Sequence, residues 1–473
     1  MERMRDLTLL IAVAVLMLAG IGFDLATDDA EPSSAEQPGP PFFERAQFCS
    51  SRILEEGSGA NVSLATASPD VVPVELEPPE PEPLELSAGS TVTRPIETPE
   101  PVVAEGFGSP VAAATSHFVN ARVGRSGTVE GVGAGTCATD SSQNWYFPSG
   151  DSSVATDYRL VVANPFPDEA VVRVNFLTEE GEETSAQLSE VAVASGQVEV
   201  VSISGAAIPQ DLLSVRLHSV RGRVIAWKAL WTNPEGESPG LEFSLGAPAP
   251  ATEWYFPAGE VSGQARQTIT LMNPNEQESS VSVALSTNEG PVQSSKLIEI
   301  AVPPQSATRL AVANRLDARR RNVGGVSAVV TVDNEVPIVA DSTTVFDGGQ
   351  MTGRITEVGA TRASDAWLVA PPSTRPTTES LVLQNPTPRD ATVDVVVYNG
   401  SGEGARPEQL QGITVPAGLR VSVSLDDLGS SRGAFLAVTS EGGGIVAERV
   451  AWEEGRSDAS SVMGQPDFGG PQN

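Results

Sequence analysis

The sequence contains few of the residues that build reactive centres. Its 473 residues include two cysteines, Cys49 and Cys137, and two histidines, His117 and His218. A zinc site needs three or four closely spaced Cys or His ligands. A Ser-His-Asp relay needs a histidine that can serve a nucleophile, and neither histidine lies near a nucleophile-elbow pattern. The sequence therefore predicts no metal site, no cofactor and no catalytic residues.

Basic and aromatic residues are also scarce. The chain has 29 Lys and Arg against 61 Asp and Glu, a formal net charge of −32, and only 5% aromatic residues. A surface this negative repels phosphate backbones, which excludes nucleic acid as an expected partner. Such a charge keeps an exported protein soluble. The alternative, cation binding, lacks the calcium-loop pattern of alternating acidic residues.

Glycine and proline are abundant, with 44 and 37 copies, and hydrophobic residues make up 40% of the chain. Long helices avoid both glycine and proline. Stretches rich in Val, Thr and Ser between Gly and Pro are typical of short strands joined by turns. The composition therefore predicts an all-β fold with several small cores.

One uncharged run stands near the start of the chain, LTLLIAVAVLMLAGIGF at 7–23. Arg3 and Arg5 precede it and Asp24 follows it, so the positive-inside rule places the N-terminus in the cytoplasm. We predict a single-pass plasma-membrane anchor at 1–25 with the bulk of the chain outside. A cleaved signal peptide and a secreted protein are the alternative, disfavoured by the poor cleavage pattern at 18–22. The acidic, proline-rich stretch 26–41 and the tail 465–473 are predicted to be disordered.

Internal repetition is the main organisational pattern. Trp145, Trp254 and Trp367 open similar segments, at spacings of 254 − 145 = 109 and 367 − 254 = 113 residues. An alternating apolar run that ends in Asn-Pro follows each of them, at 164–165, 273–274 and 385–386. Proline cannot donate to a ladder, so it ends a strand. Period-two alternation over repeats of this length predicts about seven strands per module and tandem immunoglobulin-like β-sandwiches at 141–250, 251–364 and 365–464. The repeated tryptophans are predicted to pack over a core or a module junction rather than to stack on a ligand.

A degenerate first module is predicted at 42–140. Residues 84–96 resemble 410–425, and PVVAEG at 101–106 resembles 337–342 and 444–449. The acidic, proline-rich stretch 75–85 is predicted to be a loop or an edge strand.

Cys49 and Cys137 bracket this module, and an exported chain with two cysteines is expected to pair them. Closing a loop of 137 − 49 = 88 residues contributes about 4–5 kcal/mol on the chain-entropy model. Two free thiols are the alternative.

These landmarks together carry a family resemblance. Cys137 followed by Trp145-Tyr-Phe, the run LVVANP at 160–165, and Ile445-Val-Ala are similar to motifs of an uncharacterised family of actinobacterial envelope proteins, classed as a domain of unknown function. The resemblance covers about residues 42–464. It implies a membrane-anchored chain of β-sandwich repeats and brings no activity with it.

Other motifs favour surface roles. The acidic pairs Asp426-Asp427 and Glu179-Glu180 fall in predicted turns, where solvated surface outweighs a glycosidase-type carboxylate pair. The glycine-rich run 124–135 lacks the Gly-Lys-Ser/Thr ending of a phosphate loop, so a hairpin loop is predicted. The basic cluster 319–321 is expected to be a solvated loop, with docking to an acidic partner or lipid headgroups as the alternative.

The function predicted from these features is a non-enzymatic, membrane-anchored scaffold of the bacterial cell envelope. It would present a row of modules, whose sheet edges and inter-module grooves bind envelope proteins. The first alternative is a carbohydrate-binding accessory protein for envelope polysaccharide, with Trp227 as the candidate stacking residue because it breaks the repeat pattern. The second is a hydrolase with a carboxylate pair, which no fold supplies by itself.

Overall fold

The computed structural model describes residues 46–466 except the short segments 55–57, 67, 69, 78–81, 88–89, 97, 107–110, 123–127, 233–239, 317–321, 349–350, 373–377, 399–403, 429–432 and 454–457. The predicted anchor 1–25, the stalk 26–41 and the basic cluster 319–321 lie outside the described residues. Within these residues no helix has the length and apolar character needed to cross a bilayer. Gln465 and Pro466 form a strand, so the predicted disordered tail begins two residues too early.

The described chain is all-β and antiparallel, and its strands group into four modules in sequence order. Module 1 comprises β1 (Ala46–Cys49), β2 (Ser58–Ala65), β3 (Val72–Glu77), β4 (Glu82–Leu86), β5 (Thr91–Ile96), β6 (Val102–Gly106), β7 (Ala112–Arg122) and β8 (Thr128–Thr136). Module 2 comprises β9 (Asn144–Phe147), β10 (Thr156–Asn164), β11 (Ala170–Thr178), β12 (Gly181–Thr184), β13 (Val191–Val193), β14 (Gln197–Ser202), β15 (Ser214–Arg221), β16 (Ile225–Thr232) and β17 (Gly240–Leu245).

Modules 3 and 4 repeat this order with small additions. Module 3 comprises β18 (Glu253–Phe256), β19 (Glu260–Val261), β20 (Ala265–Asn273), β21 (Ser279–Ser286), β22 (Pro291–Val292), β23 (Ile300–Val302), β24 (Ser306–Ala311), the one-turn helix α1 (Val312–Arg315), β25 (Gly324–Gly325), β26 (Ser327–Val332), β27 (Val339–Gly348) and β28 (Met351–Val358). Module 4 comprises β29 (Ala366–Val369), β30 (Thr378–Gln384), β31 (Ala391–Tyr398), β32 (Ile413–Val415), β33 (Arg420–Ser424), β34 (Phe435–Glu441), β35 (Val446–Glu453), β36 (Asp458–Met463) and β37 (Gln465–Pro466). Short 3-10 turns lie at Ala186–Leu188, Ser295–Leu297, Glu408–Leu410 and Asp426–Leu428.

Each module is built from two sheets around a shared core. In module 2 one sheet has the order β14-β10-β16-β17 and the other the order β12-β11-β15-β9, with β13 also paired to β11. The other three modules have corresponding sheets, for example β5-β2-β7-β8 and β33-β30-β35-β36. Alternate residues of β11, such as Val172 and Val174, are buried while Arg173 between them is exposed, as the period-two pattern predicts.

The strand order differs from the predicted immunoglobulin arrangement. In an immunoglobulin sandwich the first strand joins the sheet of the second, and the strand before the last lies in the other sheet, beside the third. In module 2 the first strand β9 pairs with β15, while β16 pairs with β10 and carries β17 at its far side. The alternation of apolar residues cannot reveal this exchange, because it fixes which face of a strand is buried and leaves the strand's neighbours open.

In modules 2, 3 and 4 the repeated asparagine, rather than the proline after it, fixes the turn that follows the second strand. The side-chain nitrogen of Asn164 donates to the carbonyl oxygens of Asp168 at 2.8 Å and Val193 at 3.0 Å, and its oxygen accepts from the Phe166 amide at 3.1 Å. Asn273 and Asn385 make the same three contacts within their own modules. All three asparagines are fully buried. One side chain therefore satisfies the backbone hydrogen-bonding groups of a turn and connects that turn to β13 or its equivalent.

The repeated tryptophans occupy equivalent buried sites, as predicted. The indole nitrogens of Trp145, Trp254 and Trp367 donate to backbone oxygens just before β16, β27 and β35. The distances are 2.8 Å to Val224, 3.0 Å to Ile338 and 2.8 Å to Ile445. Each ring lies in its module's core. The register also places Trp231, Val345 and Trp452 at matching positions, opposite the start of the second strand.

The four modules close into a ring, so the expectation of a row of modules is wrong. The strands β8, β17, β28 and β36 each form one edge of their sheet. β17 contacts β8 on one side and β28 on the other, and β36 contacts both β28 and β8. A cavity of about 10 Å³ remains where the four strands meet, about the smallest space that holds one water molecule. The ring thus covers four sheet edges that a row would leave exposed.

The glycine-rich run of module 1 lies at this centre. Gly131, Gly133 and Gly135 belong to strand β8, which pairs with β7, so a hairpin is present but these glycines are strand residues rather than loop residues. A Cβ atom on Gly133 would lie 2.8 Å from Cβ of Phe243 in β17. Glycine is therefore needed here for the close approach of two modules.

Two further predictions for module 1 are corrected by the strand order. The segment PVVAEG is β6, the equivalent of β15, whereas the segments it was matched with begin β27 and β35. Their counterpart is the start of β7. The stretch 75–85 contributes to β3, an inner strand paired with both β4 and β6, and to β4, an edge strand, so only its second half fits the predicted edge.

The disulfide of Cys49 with Cys137 joins the end of β1 to the residue after β8. In modules 2 and 3 the equivalent places hold Phe147 with Gly246 and Phe256 with Gly359. A Cβ atom on Gly246 would lie 2.7 Å from the Phe147 ring, and one on Gly359 2.8 Å from the Phe256 ring. The covalent bond in module 1 thus stands where a phenylalanine ring packs on a glycine in its neighbours.

Replacing Gly133 with Ala tests the closure of the ring. We expect a loss of about 1–3 kcal/mol of unfolding free energy, because the new methyl group overpacks the contact between β8 and β17. Gly263→Ala is the matched control, since no atom lies within 4 Å of a Cβ at that position. Denaturant unfolding of the two variants measures the difference. Equal stabilities would contradict the close approach.

The disulfide and the Phe-Gly pair are expected to be partly interchangeable. The double variant Cys49→Ala/Cys137→Ala should lose about 2–5 kcal/mol of stability. The double variant Cys49→Phe/Cys137→Gly should recover part of that loss, because it restores the packing of modules 2 and 3. Denaturant midpoints of both variants and of the reduced wild-type protein provide the measurement. A Phe-Gly variant no more stable than the Ala variant would refute the equivalence.

Candidate functional site

Ionisable side chains concentrate at the junction of modules 2 and 3. Lys228 on β16 and Glu242 on β17 are 1% and 2% exposed, and their Nζ and Oε2 atoms are 3.2 Å apart. Glu242 also accepts from Arg354 Nε at 2.6 Å and from Thr356 Oγ1 at 2.6 Å, both on β28. One carboxylate of module 2 is therefore held by a cation of its own module and by two donors from module 3.

Asp341 of module 3 makes the reciprocal contact. It is 1% exposed, and its Oδ2 atom accepts from the backbone amide of Ser149 at 2.8 Å and from the Ser149 hydroxyl at 2.5 Å. Lys228 Nζ donates to the Ser149 hydroxyl at 2.9 Å and to its carbonyl oxygen at 3.2 Å. The two modules thus exchange charge-assisted hydrogen bonds in both directions.

The two buried carboxyl groups have opposite pKa shifts. Burial alone would raise the pKa of Glu242, but the positive charges of Arg354 and Lys228, with the Thr356 hydrogen bond, lower it to about 2. Burial raises the pKa of Asp341, and Lys228 and the Ser149 hydrogen bonds oppose that shift without cancelling it. Glu242 is accordingly the carboxylate that the network stabilises as an anion.

The contact of Ser149 with Lys228 has the atoms of a Ser-Lys pair but cannot act as one. A lysine base needs a free lone pair on its nitrogen. All three ammonium hydrogens of Lys228 are used, by the Ser149 hydroxyl, the Ser149 carbonyl and Glu242. The side chain is also shut off from solvent. The arrangement binds one module to the next.

The junction of modules 3 and 4 places two carboxyl groups close together. Glu448 on β35 is 2% exposed and accepts from the Ala258 amide of module 3 at 3.0 Å. Glu357 on β28 accepts from Ser461 Oγ of module 4 at 2.9 Å. Burial, together with the charge of Glu448, raises the pKa of Glu357, and burial raises that of Glu448 although Arg420 opposes it. The charge of Glu448 therefore disfavours ionisation of Glu357.

The residues that the sequence singled out are dispersed through the fold. Trp227 is fully buried, and its indole nitrogen donates to the Thr136 carbonyl of module 1 at 3.4 Å. It therefore cannot stack on a glycan from solvent. Asp426 accepts from the Glu379 amide at 2.7 Å at the start of a 3-10 turn, and Glu179-Glu180 lies in an exposed turn. Neither acidic pair lines the cavity at the ring centre or the open cleft of modules 2 and 3.

Both histidines have structural positions. His117 is buried against the ring of Phe243, with centroids 4.3 Å apart, at the junction of modules 1 and 2. Burial lowers its pKa to about 3, so the ring is neutral. His218 Nδ1 lies 2.9 Å from Asn144 Oδ1 on the neighbouring strand. Among the described residues no group of three or more His, Cys, Asp or Glu could hold a metal ion.

An open cleft of about 570 Å³ lies on the outer side of the same module 2–3 junction. Arg216 on β15 forms its module 2 wall, and the module 3 wall consists of turns that follow β20, β23 and β26, with the lining residues Pro274, Asn275, Glu276, Gln277, Gln305, Glu335, Val336 and Pro337. The volume lies within the range of small-molecule sites, about 300–1,000 Å³.

Two residues of this cleft have a left-handed backbone. Gln305 has φ 48° and Glu335 has φ 61°, where a non-glycine residue costs about 1–2 kcal/mol. Gly196 and Gly418 occupy the place of Gln305 in modules 2 and 4, and Gly222 and Gly442 occupy that of Glu335, all with positive φ. Module 3 thus carries polar side chains at two turns where its neighbours have glycine.

The sequence contained a weak indication of the junction network and none of the cleft. Lys228, Asp341 and Glu448 each follow two or three apolar residues at the start of their strand. A charged residue at a buried position of a strand indicates a contact with another module, unless the register of the strand has been assigned wrongly. The cleft depends on which modules meet, and this follows only from ring closure.

Comparison with known proteins identifies a family and no activity. Three segments, 97–229, 227–332 and 330–455, match the model of a family described as a family of unknown function, DUF5719. No curated protein matches the chain. The crystal structure of Thermotoga maritima 1070 is similar at 17% identity and a TM-score of 0.21, over 24% of this chain and 96% of that one. The Anabaena sensory rhodopsin transducer is similar at 18% identity and a TM-score of 0.17, over 20% and 96%.

A third similar structure is the pilus backbone protein RrgB from Streptococcus pneumoniae. It has 13% identity and a TM-score of 0.12, over 51% of this chain and 80% of that one.

The charge network predicts a specific acid sensitivity. The pKa of Glu242 is lowered from 4.5 to about 2 in the folded protein, so its contribution to stability is complete above pH ~4.5 and disappears as the pH falls through ~2. Glu242→Gln should cost about 3–5 kcal/mol at neutral pH and should flatten the stability curve between those pH values. Urea unfolding across this range measures both effects. The control, Glu179→Gln in the exposed turn, should leave the curve unchanged; an unaltered slope in Glu242→Gln would contradict the assignment.

Proposed function

We propose that this chain, which belongs to the family of unknown function DUF5719, is a non-catalytic scaffold of the cell envelope. The family model matches most of the chain and carries no activity, so the argument rests on the molecule. The observation that carries it is ring closure, because buried junctions fix four modules in one arrangement and present their outer sheets and turns as a continuous binding surface.

The use of the buried ionisable groups supports a scaffold over an enzyme. Glu242, Asp341 and Glu448 are engaged in contacts between modules, and Lys228 holds Glu242 and Ser149 within module 2. An active site would need such groups at the wall of an accessible cavity. In the described structure four of the carboxyl groups with a shifted pKa, those of Glu242, Asp341, Glu357 and Glu448, lie inside junctions, while the open cleft is lined by ordinary surface residues. A hydrolase with a carboxylate pair is accordingly not favoured.

The proposed location is the outer face of the plasma membrane. It rests on the uncharged run at 7–23 with arginines before it and aspartates after it, and on the resemblance to membrane-anchored envelope proteins of actinobacteria. The Cys49–Cys137 disulfide is consistent with an oxidising compartment. Secretion after cleavage near residue 22 is the alternative form of the same proposal.

A membrane-impermeant, amine-reactive crosslinker on intact cells tests location and partnership together. The chain has two lysines, Lys228 and Lys296, and Lys228 is buried while Lys296 is exposed. We expect Lys296 to be coupled to an envelope protein, and Lys296→Arg to abolish the coupling. The α-amino group should stay unmodified on the cytoplasmic side.

Two outcomes contradict the proposal. Modification of Lys296 only after cell lysis would exclude the exported location. Modification on intact cells without any crosslinked or copurified partner would exclude a role in assembly. An α-amino group modified on intact cells would replace the anchored form with the cleaved one.

A further inference from the structure

The cleft between modules 2 and 3 differs from the equivalent junction on the other side of module 2. There, Phe48 of module 1 packs against Phe166 of module 2 with ring centroids 5.9 Å apart, and Val103 lies beside them. The strand registers place Arg216 where module 1 has Val103, and Asn275 where module 2 has Phe166. An apolar seal is thus replaced by a polar opening at one junction of the ring.

The side chains of this opening are free to meet a ligand. Arg216 makes no ion pair or side-chain hydrogen bond with the part of the chain that the structure describes. Asn275 uses its amide nitrogen on Asn273 Oδ1 at 3.0 Å and on the Pro337 carbonyl at 2.6 Å, which leaves its oxygen as an acceptor. Gln305 and Glu335 project from turns that glycine occupies in the neighbouring modules. Backbone strain kept at two points of one cleft is typical of functional sites.

The lining chemistry selects a neutral polyhydroxylated ligand. One guanidinium faces two carboxylates, Glu276 and Glu335, so the cleft is net negative and repels anions. Amide, carboxylate and guanidinium groups together both donate to and accept from hydroxyl groups. Pro274 and Pro337 add small apolar faces without a deep pocket of the kind that anchors a peptide side chain. We propose that this cleft binds a neutral saccharide.

This site goes beyond the scaffold role and does not depend on the location of the chain. It also differs from the carbohydrate site that Trp227 suggested, because Trp227 is buried at another junction. The purified full-length protein is therefore sufficient for the test, whose outcome is independent of the crosslinking experiment in cells.

The test uses substitutions that separate binding from folding. Saturation-transfer NMR and calorimetry are carried out with neutral glucan, mannan, galactan and arabinan tetrasaccharides. We expect at least one to bind, and we expect Arg216→Ala and the double variant Gln305→Gly/Glu335→Gly to weaken it by a factor of ten or more, the effect of losing about 1.4 kcal/mol of binding energy. The double variant restores the residues of the neighbouring modules, so its unfolding midpoint should not fall below that of the wild type.

Glu299→Gly is the matched control, since Glu299 also has a left-handed backbone, with φ 51°, but does not line the cleft. It should bind the saccharide as the wild type does. The proposal is overturned if no tetrasaccharide binds, if the cleft variants bind unchanged, or if Glu299→Gly weakens binding equally. Preference for an acidic glycan or for a peptide would also overturn it.

Discussion

The structure depends on one constraint, that each module has a sheet edge with no partner in its own module. The strands β8, β17, β28 and β36 leave a row of backbone donors and acceptors on one side. Four such edges meet at the centre of the ring, where side chains from neighbouring modules cover them. Glycine at 133 and 135 lets β17 approach β8, and glycine at 240 lets β17 lie against the backbone of β28 at Gly353 and Arg354. The modules are consequently parts of one packed unit rather than independent domains.

Each junction is formed by equivalent strands, but different side chains make the contacts between the modules. Structurally equivalent positions hold Ala114, Trp227, Asp341 and Glu448, which pair with matching residues of the second strand in each module. Trp227 reaches module 1, Asp341 binds Ser149 of module 2, and Glu448 binds the amide of Ala258 in module 3. Each charged pair is buried and would be costly if left unpaired. Exchange of one module for another would therefore leave charges unsatisfied, which specifies the order around the ring.

Much of the fold could be predicted from the sequence, because strand alternation and repeat spacing are local properties. The burial of Trp145, Trp254 and Trp367 and the pairing of Cys49 with Cys137 followed from them. The exchange of strand partners did not, since β9 and β16 carry the same apolar pattern whichever sheet they join. Ring closure and the cleft at Arg216 also could not be predicted. They arise from contacts between modules about 110 residues apart, and such contacts leave no periodic pattern in the strands that make them.

Ring closure brings the two ends of the described chain together. Gln465 of β37 donates to the side chain of Gln47 in β1 at 3.1 Å, and to the carbonyl oxygens of Ala113 and Cys137. A pull on these two ends would load the seam between modules 4 and 1 first, because that seam lies directly between the points of attachment. A circular permutant, in which a short linker joins these two ends and the chain is opened between two other modules, should preserve the fold. The order in which the chain visits the four modules can therefore change without a change in how the modules pack.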